Sequence, residues 1–402
     1  MISYSRAFEI AIKTAASLRK QIKSVPLAES VGLVLAREVV SDIDIPPFDR
    51  AAMDGYAVRS EDIANVPVEL EVIDTLPAGQ VSDTVVGRGC AVRIMTGAPV
   101  PSGADSVVKV EDTECRDERV TIKVSLPAGK NIASRGEDVR KGDVVAAANT
   151  PVKPAMLGLL GAAGAALVDV YRPPEVAVLT TGSELVDISQ SPAPGQIRNS
   201  NLPVLRALVS DLGMRCREVG SVEDDIDNLR EAVRTGLDSD VLLVSGGVSM
   251  GEYDFVPRVF EEAGVKKVFH KVAIKPGKPL YLGRKGDGLI FGIPGNPVST
   301  FVSFEMIIKP ALLTLSGNSR NRPSFIKATF TSGRGSGSSR EQMLPGILSA
   351  GDGLPHVKTT EWHGSGDMRG LAYANCFIRV PGDTNPPADG DIVEVHPFGA
   401  FR

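Results

Sequence analysis

Cysteine, histidine and tryptophan are scarce in this chain, and their scarcity excludes several classes of protein. The 402 residues include 4 Cys, 4 His and 1 Trp. The cysteines are scattered, with no CxxC pair, so the sequence predicts free thiols in a reducing compartment and no disulfide framework. The histidines show no metal-ligand spacing, which disfavours a zinc site.

The chain also lacks a basic excess and a long apolar run. Its 44 Lys and Arg residues face 49 Asp and Glu residues, giving a net charge of -5. A protein that binds duplex nucleic acid usually has a basic excess, so no nucleic-acid partner is expected. The uncharged apolar stretch over residues 155–168 is too short to span a bilayer. Because the N-terminal residues show no signal-peptide pattern, the sequence predicts a cytoplasmic protein without a membrane partner.

Four familiar catalytic motifs are absent as well. The sequence contains no GxSxG, no HExxH, no Walker lysine motif, and no GxGxxG after the first predicted strand of its α/β segment. Their absence disfavours a serine hydrolase, a zinc peptidase, a P-loop ATPase and a dinucleotide dehydrogenase.

What is present alternates between β-rich and α/β patterns. Apolar residues at spacings of three and four predict a helix over residues 4–23. Short strands broken by Gly and Pro predict a β-rich module over about residues 46–145. Alternating strands and helices predict a doubly wound, parallel α/β domain over residues 174–318, and the chain from residue 319 onward predicts a small all-β module.

Local patterns within the α/β segment predict further details. Residues 298–315 are apolar enough to predict one last helix, and the strings KVAIK and PLYLG predict a pair of strands. Asp224 or Asp225 precedes a helical pattern, so one of them is expected to be its N-cap.

Three glycine-containing turns follow strands of the α/β segment. In an open α/β sheet, ligands bind beyond the carboxyl ends of the strands. Hydroxyls and backbone N–H groups at such turns suit a phosphate or another oxyanion. Taken singly, each glycine is explained by a tight turn, but three turns at one sheet edge favour a binding site. The candidate binding residues are Thr181, Gly182, Ser183, Ser245, Gly246, Gly247, Pro294, Gly295, Asn296 and Pro297.

Carboxylates stand beside these turns. Glu184 and Asp254 lie just beyond the first and third strands, and Asp224 or Asp225 lies beyond the second. Carboxylates repel an anionic substrate unless a cation lies between them, and hard oxygen ligands with phosphate are a Mg²⁺ arrangement. The sequence therefore predicts Glu184, Asp224 and Asp254 as ligands of Mg²⁺ or another divalent cation, with a helix cap as the alternative role for Asp224.

Three lysines surround a Pro-Gly turn in the string KVAIKPGK. Lys271, Lys275 and Lys278 are closely spaced and concentrate positive charge there. A run of charges is usually a solvated face, yet lysine beside a glycine turn is also suited to an oxyanion. Both roles stay open at this point.

Eight strings resemble, in the same order along the chain, those of the MoeA-type molybdopterin molybdenumtransferases, the family that includes the gephyrin E domain. The joint pattern is specific, although the TGSE and SGG turns by themselves also suit the smaller molybdopterin adenylyltransferases. The strings are PPFDRAAMDGYAV, RIMTGAPVPSGADSVVKVED, RGEDV, LTTGSEL, GQIRNSN, VSGGVSMGEYD, KVAIKPGKP and IPGNPVS.

The resemblance implies the last step of molybdenum cofactor synthesis. Adenylylated molybdopterin (molybdopterin-AMP) binds, molybdate is inserted at its dithiolene sulfurs, and AMP leaves with help from a divalent cation. The resemblance also implies an elongated homodimer, in which the β-rich module of one subunit completes the site of the other. An adenylyltransferase partner is compatible with it, and tungstate stays open as an alternative to molybdate.

The resemblance further implies four domains. A linking helical and mixed domain would comprise residues 1–43 with 139–173, and a β-rich domain residues 44–138. The α/β pterin-binding domain would comprise residues 174–318, and a C-terminal small β-barrel residues 319–402.

The same motifs imply site residues in three of these domains. Where relatives often carry a polar pair, this chain has Arg50 and Ala51, a departure that removes none of the acids. The residues implied to act in catalysis are Asp54, Thr96, Asp138, Glu184, Asp254, Lys271 and Lys275. Those implied to bind the pterin substrate, besides the three turns, are Lys278, Arg340 and Ser365.

Two other functions stay open from the sequence. The α/β domain alone would suit adenylyl transfer to molybdopterin, but the complete β-rich module and tail argue against that activity. A non-catalytic pterin-binding scaffold is the second alternative. The intact set of Asp54, Glu184 and Asp254 argues against it, because a scaffold has no need of a metal site.

Overall fold

A computed structural model describes most of the chain. The described residues are 1–249, 254–319, 321–333, 337–351 and 353–398. The MGEY portion of the VSGGVSMGEYD motif and residues 334–336 of the Ser/Gly-rich loop lie outside them, whereas Asp254 lies inside.

A six-stranded sheet forms the centre of the α/β segment. Four neighbouring strands are parallel, the fifth runs antiparallel to them, and the edge strand pairs antiparallel with the fifth. In spatial order the strands are Cys216–Val222, Val176–Thr181, Val241–Ser245, Gly288–Ile293, Tyr281–Lys285 and Lys266–His270. Two neighbouring parallel strands are buried along their whole length, as expected when helices cover both faces. The predicted doubly wound α/β fold is confirmed, with an antiparallel edge that the sequence pattern did not predict.

Helices cover both faces of this sheet. Alternate residues of one strand point to opposite faces. Val178 is buried in the same cluster as Leu205, whereas Leu179 is buried in the cluster of Val233 on the other face. The helical segments of this region are Asn201–Asp211, Ile226–Gly236, Val256–Glu262, Pro297–Ser303, Phe304–Ile308 and Lys309–Leu315.

The N-terminal helix is shorter than predicted. It comprises Tyr4–Ala16 rather than residues 4–23, and Ser3 caps it by accepting a hydrogen bond from the backbone N–H of the third helical residue at 3.2 Å. The end of the predicted segment is instead a strand, Ile22–Pro26, that pairs with Leu167–Tyr171. Strand pairing therefore outweighs the helical spacing of Ile22.

This helix packs on the α/β segment. Ala7, Phe8 and Ala11 are buried in the same cluster as one face of the central sheet. The implied domain division groups residues 1–43 with 139–173, whereas the helix itself lies against the α/β domain. The domain boundaries stay a prediction.

The predicted helix over residues 298–315 exists, but its geometry changes along its length. Pro297–Ser303 and Lys309–Leu315 are α-helical, and a π-helical turn, Phe304–Ile308, joins them. The combined segment is the one helix in the described ranges long and apolar enough to cross a membrane. Since 83% of its apolar stretch is buried inside the protein, this segment is a core helix.

The π-helical turn contains a buried charge. Glu305 is 4% exposed, its Oε2 accepts a hydrogen bond from Lys309 Nζ at 2.9 Å, and it lies 3.4 Å from His396 Nε2. Burial opposes ionisation, but the hydrogen bonds from His396 and Lys309 hold the pKa of the Glu305 carboxyl below its usual range. His396 lies on a strand of the C-terminal module, so this group of charges joins two modules.

The strands predicted around KVAIK and PLYLG both exist, but they do not pair with each other. Tyr281–Lys285 pairs with Lys266–His270, whereas Val272–Lys275, called here the lysine strand, pairs with the N-terminal strand Ile2–Ser3 and with the C-terminal module. Lys271 has a φ of +71°, and this turn in the backbone directs the lysine strand away from the central sheet.

The C-terminal module closes into a small β-barrel, as predicted. Its five strands pair in a ring because the first strand of the ring also pairs with the last. In order they are Glu341–Ser349, His356–Thr359, Ile326–Ser332, Ile392–Pro397 and Cys376–Val380. Phe330, Leu344 and Ile378 fill its interior. A short helix, Met368–Ala372, precedes the strand Cys376–Val380 along the chain.

The β-rich module is a second six-stranded sheet with small additions. Its strands, in spatial order, are Ser106–Lys109, Gly55–Val58, Cys90–Ile94, Val68–Leu76, Arg119–Ile122 and Thr113–Arg116. Ala57 and Tyr56 are buried in different clusters, so both faces of the sheet are covered. The remaining strand pairs are Arg50–Ala51 with Ile132–Ala133, Val39–Val40 with Val144–Ala146, and Leu185–Val186 with Ile197–Arg198, and the remaining α-helix is Pro154–Ala162.

Removing the buried carboxylate tests the junction between helix and barrel. We expect Glu305→Ala to lower the free energy of unfolding by about 3–5 kcal/mol, because loss of one partner leaves buried charge uncompensated. Urea denaturation measures this loss. Glu9→Ala is the control, since Glu9 forms an exposed ion pair with Arg6 at 3.6 Å, and such pairs contribute about 0–1 kcal/mol. Equal losses in the two variants would contradict the assigned role of Glu305.

Candidate functional site

Three turns meet at the carboxyl edge of the central sheet. They follow adjacent parallel strands and are called the first turn (residues 181–184), the second turn (245–249) and the third turn (294–297). The backbone N–H of Gly246 donates to the carbonyl oxygen of Ile293 at 3.0 Å, which connects the second turn to the strand that precedes the third. The prediction that these turns share one sheet edge is confirmed.

Gly246 allows the turns to approach one another closely. Its φ is +106°, and a Cβ built on it would lie 2.1 Å from the carbonyl oxygen of Thr181. A Cβ on Gly295 of the third turn would lie 3.7 Å from the Gly246 Cα. Only glycine fits between the first and third turns, because any side chain would overlap backbone atoms.

A cavity of about 1010 Å³ opens beside the turns. Its volume is at the upper end of the range for small-molecule sites. Gly366 and Met368 of the C-terminal module close one side. Residues of the three turns and the carboxylates supply much of the lining, namely Thr181, Gly182, Glu184, Asp224, Ser245, Gly246, Gly247, Asp254, Pro294, Gly295, Asn296 and Pro297. Of the turn residues predicted to bind, Ser183 lies outside the lining.

The structure separates the roles of two adjacent acids. Asp225 caps the following helix by accepting hydrogen bonds from two backbone N–H groups of its first turn. Asp224 lines the cavity and accepts a hydrogen bond from Thr181 Oγ1 at 2.8 Å and one from the Ser183 backbone N–H at 3.4 Å. The alternative that Asp224 is a helix cap is therefore wrong.

Glu184, Asp224 and Asp254 line the cavity without forming a closed cation site. Within the described ranges, no three His, Cys, Asp or Glu side chains lie close enough to bind one metal ion. Mg²⁺ usually keeps several waters and binds through one or two carboxylates plus substrate phosphates. These carboxylates thus fit a cation shared with a phosphorylated ligand, and they do not fit one that the protein binds alone.

The three lysines predicted to bind the oxyanion lie outside the cavity lining. That lining reaches Pro279 but includes none of Lys271, Lys275 and Lys278. Lys271 and Lys275 are half-buried, whereas Lys278 is exposed. The three carboxylates are therefore part of the cavity lining, and the three lysines are not.

His270 connects the lysine segment to the second turn. Its Nε2 lies 3.0 Å from the carbonyl oxygen of Val248, and its ring packs edge-on against Tyr281. Burial, reinforced by the charges of nearby lysines, lowers the pKa of His270 below its ordinary value. The ring is therefore neutral at pH 7 and donates from Nε2 to Val248. The sequence alone indicates no role for His270, because its partner is a backbone atom of a distant turn.

The C-terminal barrel contributes a direct contact to the third turn. Asn296 Nδ2 donates to Ser365 Oγ at 2.8 Å, and the backbone N–H of Val298 donates to the Ser365 carbonyl oxygen at 3.1 Å. Arg340 lies elsewhere, since its guanidinium donates to the carbonyl oxygen of Ile274 in the lysine strand at 3.2 Å. Ser365 thus supports the third turn, whereas Arg340 contacts the lysine strand and lies outside the cavity lining.

Comparison with known proteins decides the family. Family models described as "MoeA N-terminal region (domain I and II)", "Probable molybdopterin binding domain" and "MoeA C-terminal region (domain IV)" match residues 2–164, 177–314 and 327–398. A molybdopterin molybdenumtransferase of Staphylococcus aureus is 34% identical over 377 residues, covering 92% of this chain and 90% of that protein. The chain belongs to the MoeA family.

Further MoeA relatives agree over nearly the whole chain. A molybdopterin molybdenumtransferase of Staphylococcus epidermidis is 33% identical over 392 residues, covering 96% of this chain and 94% of that protein. The solved structure of a molybdopterin biosynthesis moeA protein from Pyrococcus horikoshii has 30% identity and a TM-score of 0.83, covering 99% of this chain and 100% of that one. The likeness to MoeA proteins therefore includes every module.

The MoeA motifs of the β-rich module lie away from the cavity lining. The Asp54 carboxylate accepts hydrogen bonds from both the hydroxyl and the backbone N–H of Thr96, each at 2.6 Å, and these bonds lower the pKa of Asp54. Asp138 has an exposed side chain, and its backbone N–H donates to the Ile45 carbonyl oxygen at 3.0 Å. The structure brings Asp54 and Thr96 together, but neither they nor Asp138 lines the cavity of the same chain.

Two asparagines of the GQIRNSN motif contact the site, although neither is among the residues that the sequence predicts to act there. Asn199 is 6% exposed and donates from Nδ2 to Thr180 Oγ1 at 2.7 Å. Asn201 donates from Nδ2 to Ser245 Oγ at 3.0 Å and to the Gly295 carbonyl oxygen at 2.6 Å, so it bridges the second and third turns. The motif was recognised as a MoeA string, but only the folded chain shows that its amides hold strand ends together.

A substitution at the closest approach tests the packing of the turns. We expect Gly246→Ala to displace the second turn, because its Cβ would overlap the carbonyl oxygen of Thr181. Gly213→Ala is the matched control, since Gly213 also has a positive φ, +69°, with nothing within 4 Å of the added Cβ. Thermal and urea denaturation should show an extra loss of about 1–3 kcal/mol for Gly246→Ala over the control. Similar losses in both variants would contradict a steric role for Gly246.

Proposed function

We propose that this chain is a molybdopterin molybdenumtransferase, which inserts molybdate into adenylylated molybdopterin and releases AMP. The observation that supports this best is that the three turns, each part of a MoeA motif, line one cavity together with Glu184, Asp224 and Asp254. Relatives with that name match over 92% and 96% of the chain, so the proposal does not depend on one module.

The residues around the cavity suit a large anionic ligand. Hydroxyl, amide and backbone groups of Ser245, Gly247 and Asn296 face the space in which a pterin and its phosphate would bind. Lys271 and Lys275 supply positive charge for the phosphate or the oxyanion from outside the cavity lining. Cleavage of a phosphoanhydride requires positioning and charge stabilisation more than a protein nucleophile. The absence of a Ser–His or Cys–His motif is therefore compatible with this chemistry.

Glu184 and Asp254 are the residues proposed to hold Mg²⁺ or another divalent cation together with the substrate phosphate. Asp224, which accepts two hydrogen bonds from the first turn, positions that turn beside them. When bound, the cation would neutralise negative charge that develops on the departing phosphate.

We also propose the compartment of the protein, from its cysteines, and the supplier of its substrate, from the chemistry of that substrate. The four cysteines are free, which supports a reducing compartment, the cytoplasm. Because the substrate arrives already adenylylated, an adenylyltransferase is the proposed partner that supplies it.

We further propose a homodimer in which the β-rich module of one subunit completes the cavity of the other. Asp54 and Thr96 are exposed and do not line the cavity of their own chain. The helix Pro154–Ala162 is apolar, yet Leu160 is its one buried residue in the described structure, and nearby Leu167 is 65% exposed. Exposed apolar surface of this kind is typical of a protein–protein interface.

Release of AMP tests the proposed activity. With adenylylated molybdopterin and Mg²⁺, we expect molybdate to be required for AMP release and for reconstitution of an apo-enzyme. Glu184→Gln should lower the rate by about 100-fold, since the site loses a charge that binds the cation. The matched control is Glu231→Gln, an exposed acid on the helix after Asp225 and outside the cavity lining, which should retain the full rate. Tight pterin binding without AMP release, with molybdate or tungstate, would favour a scaffold instead.

Mixed dimers test whether two subunits share a site. Asp54→Asn and Glu184→Gln should each be inactive alone, but in a mixed dimer one of the two cavities combines unaltered residues from both chains. Random mixing makes about half of the dimers mixed, so activity should recover to about one quarter of the unaltered protein. No recovery, in mixtures that size measurement shows to be dimeric and exchanged, would place both residues in a site within one chain.

A further inference from the structure

Two segments distant in sequence hold the lysine strand (Val272–Lys275). On one side, the N-terminal strand Ile2–Ser3 pairs with it in parallel, with Ile2 opposite Val272. On the other side, its end pairs in parallel with residues 341 and 342 of the barrel. The backbone of the strand is therefore held on one side by the N-terminal strand and on the other by a strand of the barrel.

Lys271, which precedes this strand, has an unusual backbone conformation. Its φ of +71° lies in a region that residues other than glycine seldom adopt. Three main-chain hydrogen bonds surround it. Lys271 N donates to Leu280 O at 3.0 Å, Val272 N donates to Lys278 O at 2.9 Å, and Ile2 N donates to Lys271 O at 3.1 Å. An unfavourable conformation persists only where neighbouring structure imposes it, and here the N-terminal strand is part of that structure.

The N-terminal strand is itself anchored. Ser3 caps the helix that begins at Tyr4. Tyr4 and Phe8 are buried in the same cluster as Val272, so this helix packs in the core from which the lysine strand extends. The N-terminal strand is thus continuous with a helix that is capped and packed in the core.

We propose that Ile2 is a positioning residue for the lysines that bind the oxyanion or phosphate. Its backbone N–H, bonded to the carbonyl oxygen of Lys271, fixes the backbone conformation from which the Lys271 side chain extends. This inference rests on the proposed function, in which Lys271 and Lys275 bind that anion. Ile2 acts through the lysine strand and contacts no substrate.

The test removes the N–H without removing the helix. Ile2→Pro eliminates the donor, and proline is tolerated at the first residue of a strand. Ile2→Ala keeps the donor but shortens the side chain. Ser3→Ala keeps the donor but removes the hydroxyl that caps the helix, so it reports what simple destabilisation of this region does.

Kinetics with molybdate give the decisive readout. In the AMP-release assay, Ile2→Pro should raise the KM for molybdate by about fivefold, with kcat within about twofold. Displacement of Lys271 would then weaken its contact with the anion by about the energy of one hydrogen bond. Isothermal titration of the protein with molybdate alone should show a similar rise in Kd. Ile2→Ala and Ser3→Ala should keep the unaltered KM, although Ser3→Ala should lower the Tm.

Each contrary result has a distinct meaning. The inference is overturned if Ile2→Pro has the KM and Kd of Ile2→Ala. It is equally overturned if Ser3→Ala raises KM as much as Ile2→Pro does, because loss of stability would then explain both. Failure of the proposed function would instead show in the unaltered protein, as an absence of both molybdate binding and molybdate-dependent AMP release, and the inference would fail with it.

Discussion

The close approach of three backbone turns around Gly246 is the constraint on which the rest of the site depends. Parallel pairing of adjacent strands brings the turns to one edge, and the missing side chain lets the second turn lie against Thr181. Asn201 then joins the second and third turns through one amide group. The backbones of these turns lie against one another, and the cavity opens beside them.

Around this centre, the site is assembled at a junction between modules. Ser365 of the barrel bonds to the third turn, and the lysine strand is paired with both the barrel and the N-terminal strand. The buried contact between Glu305 and His396 connects the core helix to the same barrel. The orientation of the barrel and the shape of the site are consequently coupled, because the contacts of the barrel with the third turn and with the lysine strand support both.

The distribution of charge gives the cavity its chemical character. Carboxylates line it, while the half-buried Lys271 and Lys275 lie outside its lining. An anionic ligand entering such a cavity meets repulsion from Glu184 and Asp254 unless a cation is bound with it. Substrate and cation binding are therefore expected to depend on each other, which is the arrangement used in phosphoryl transfer.

Local sequence determined the classes of element, the glycine turns and the family motifs. Buried strands read as unbroken apolar runs, and Gly246 stands out because a tight turn requires it. Sequence did not determine that the lysine strand leaves the central sheet, that Asp225 rather than Asp224 is the cap, or that Asn201 and His270 bond to distant turns. Those features depend on which segments meet in space, and tertiary packing alone decides that, because a strand or an amide finds partners far along the chain that its own neighbours do not specify.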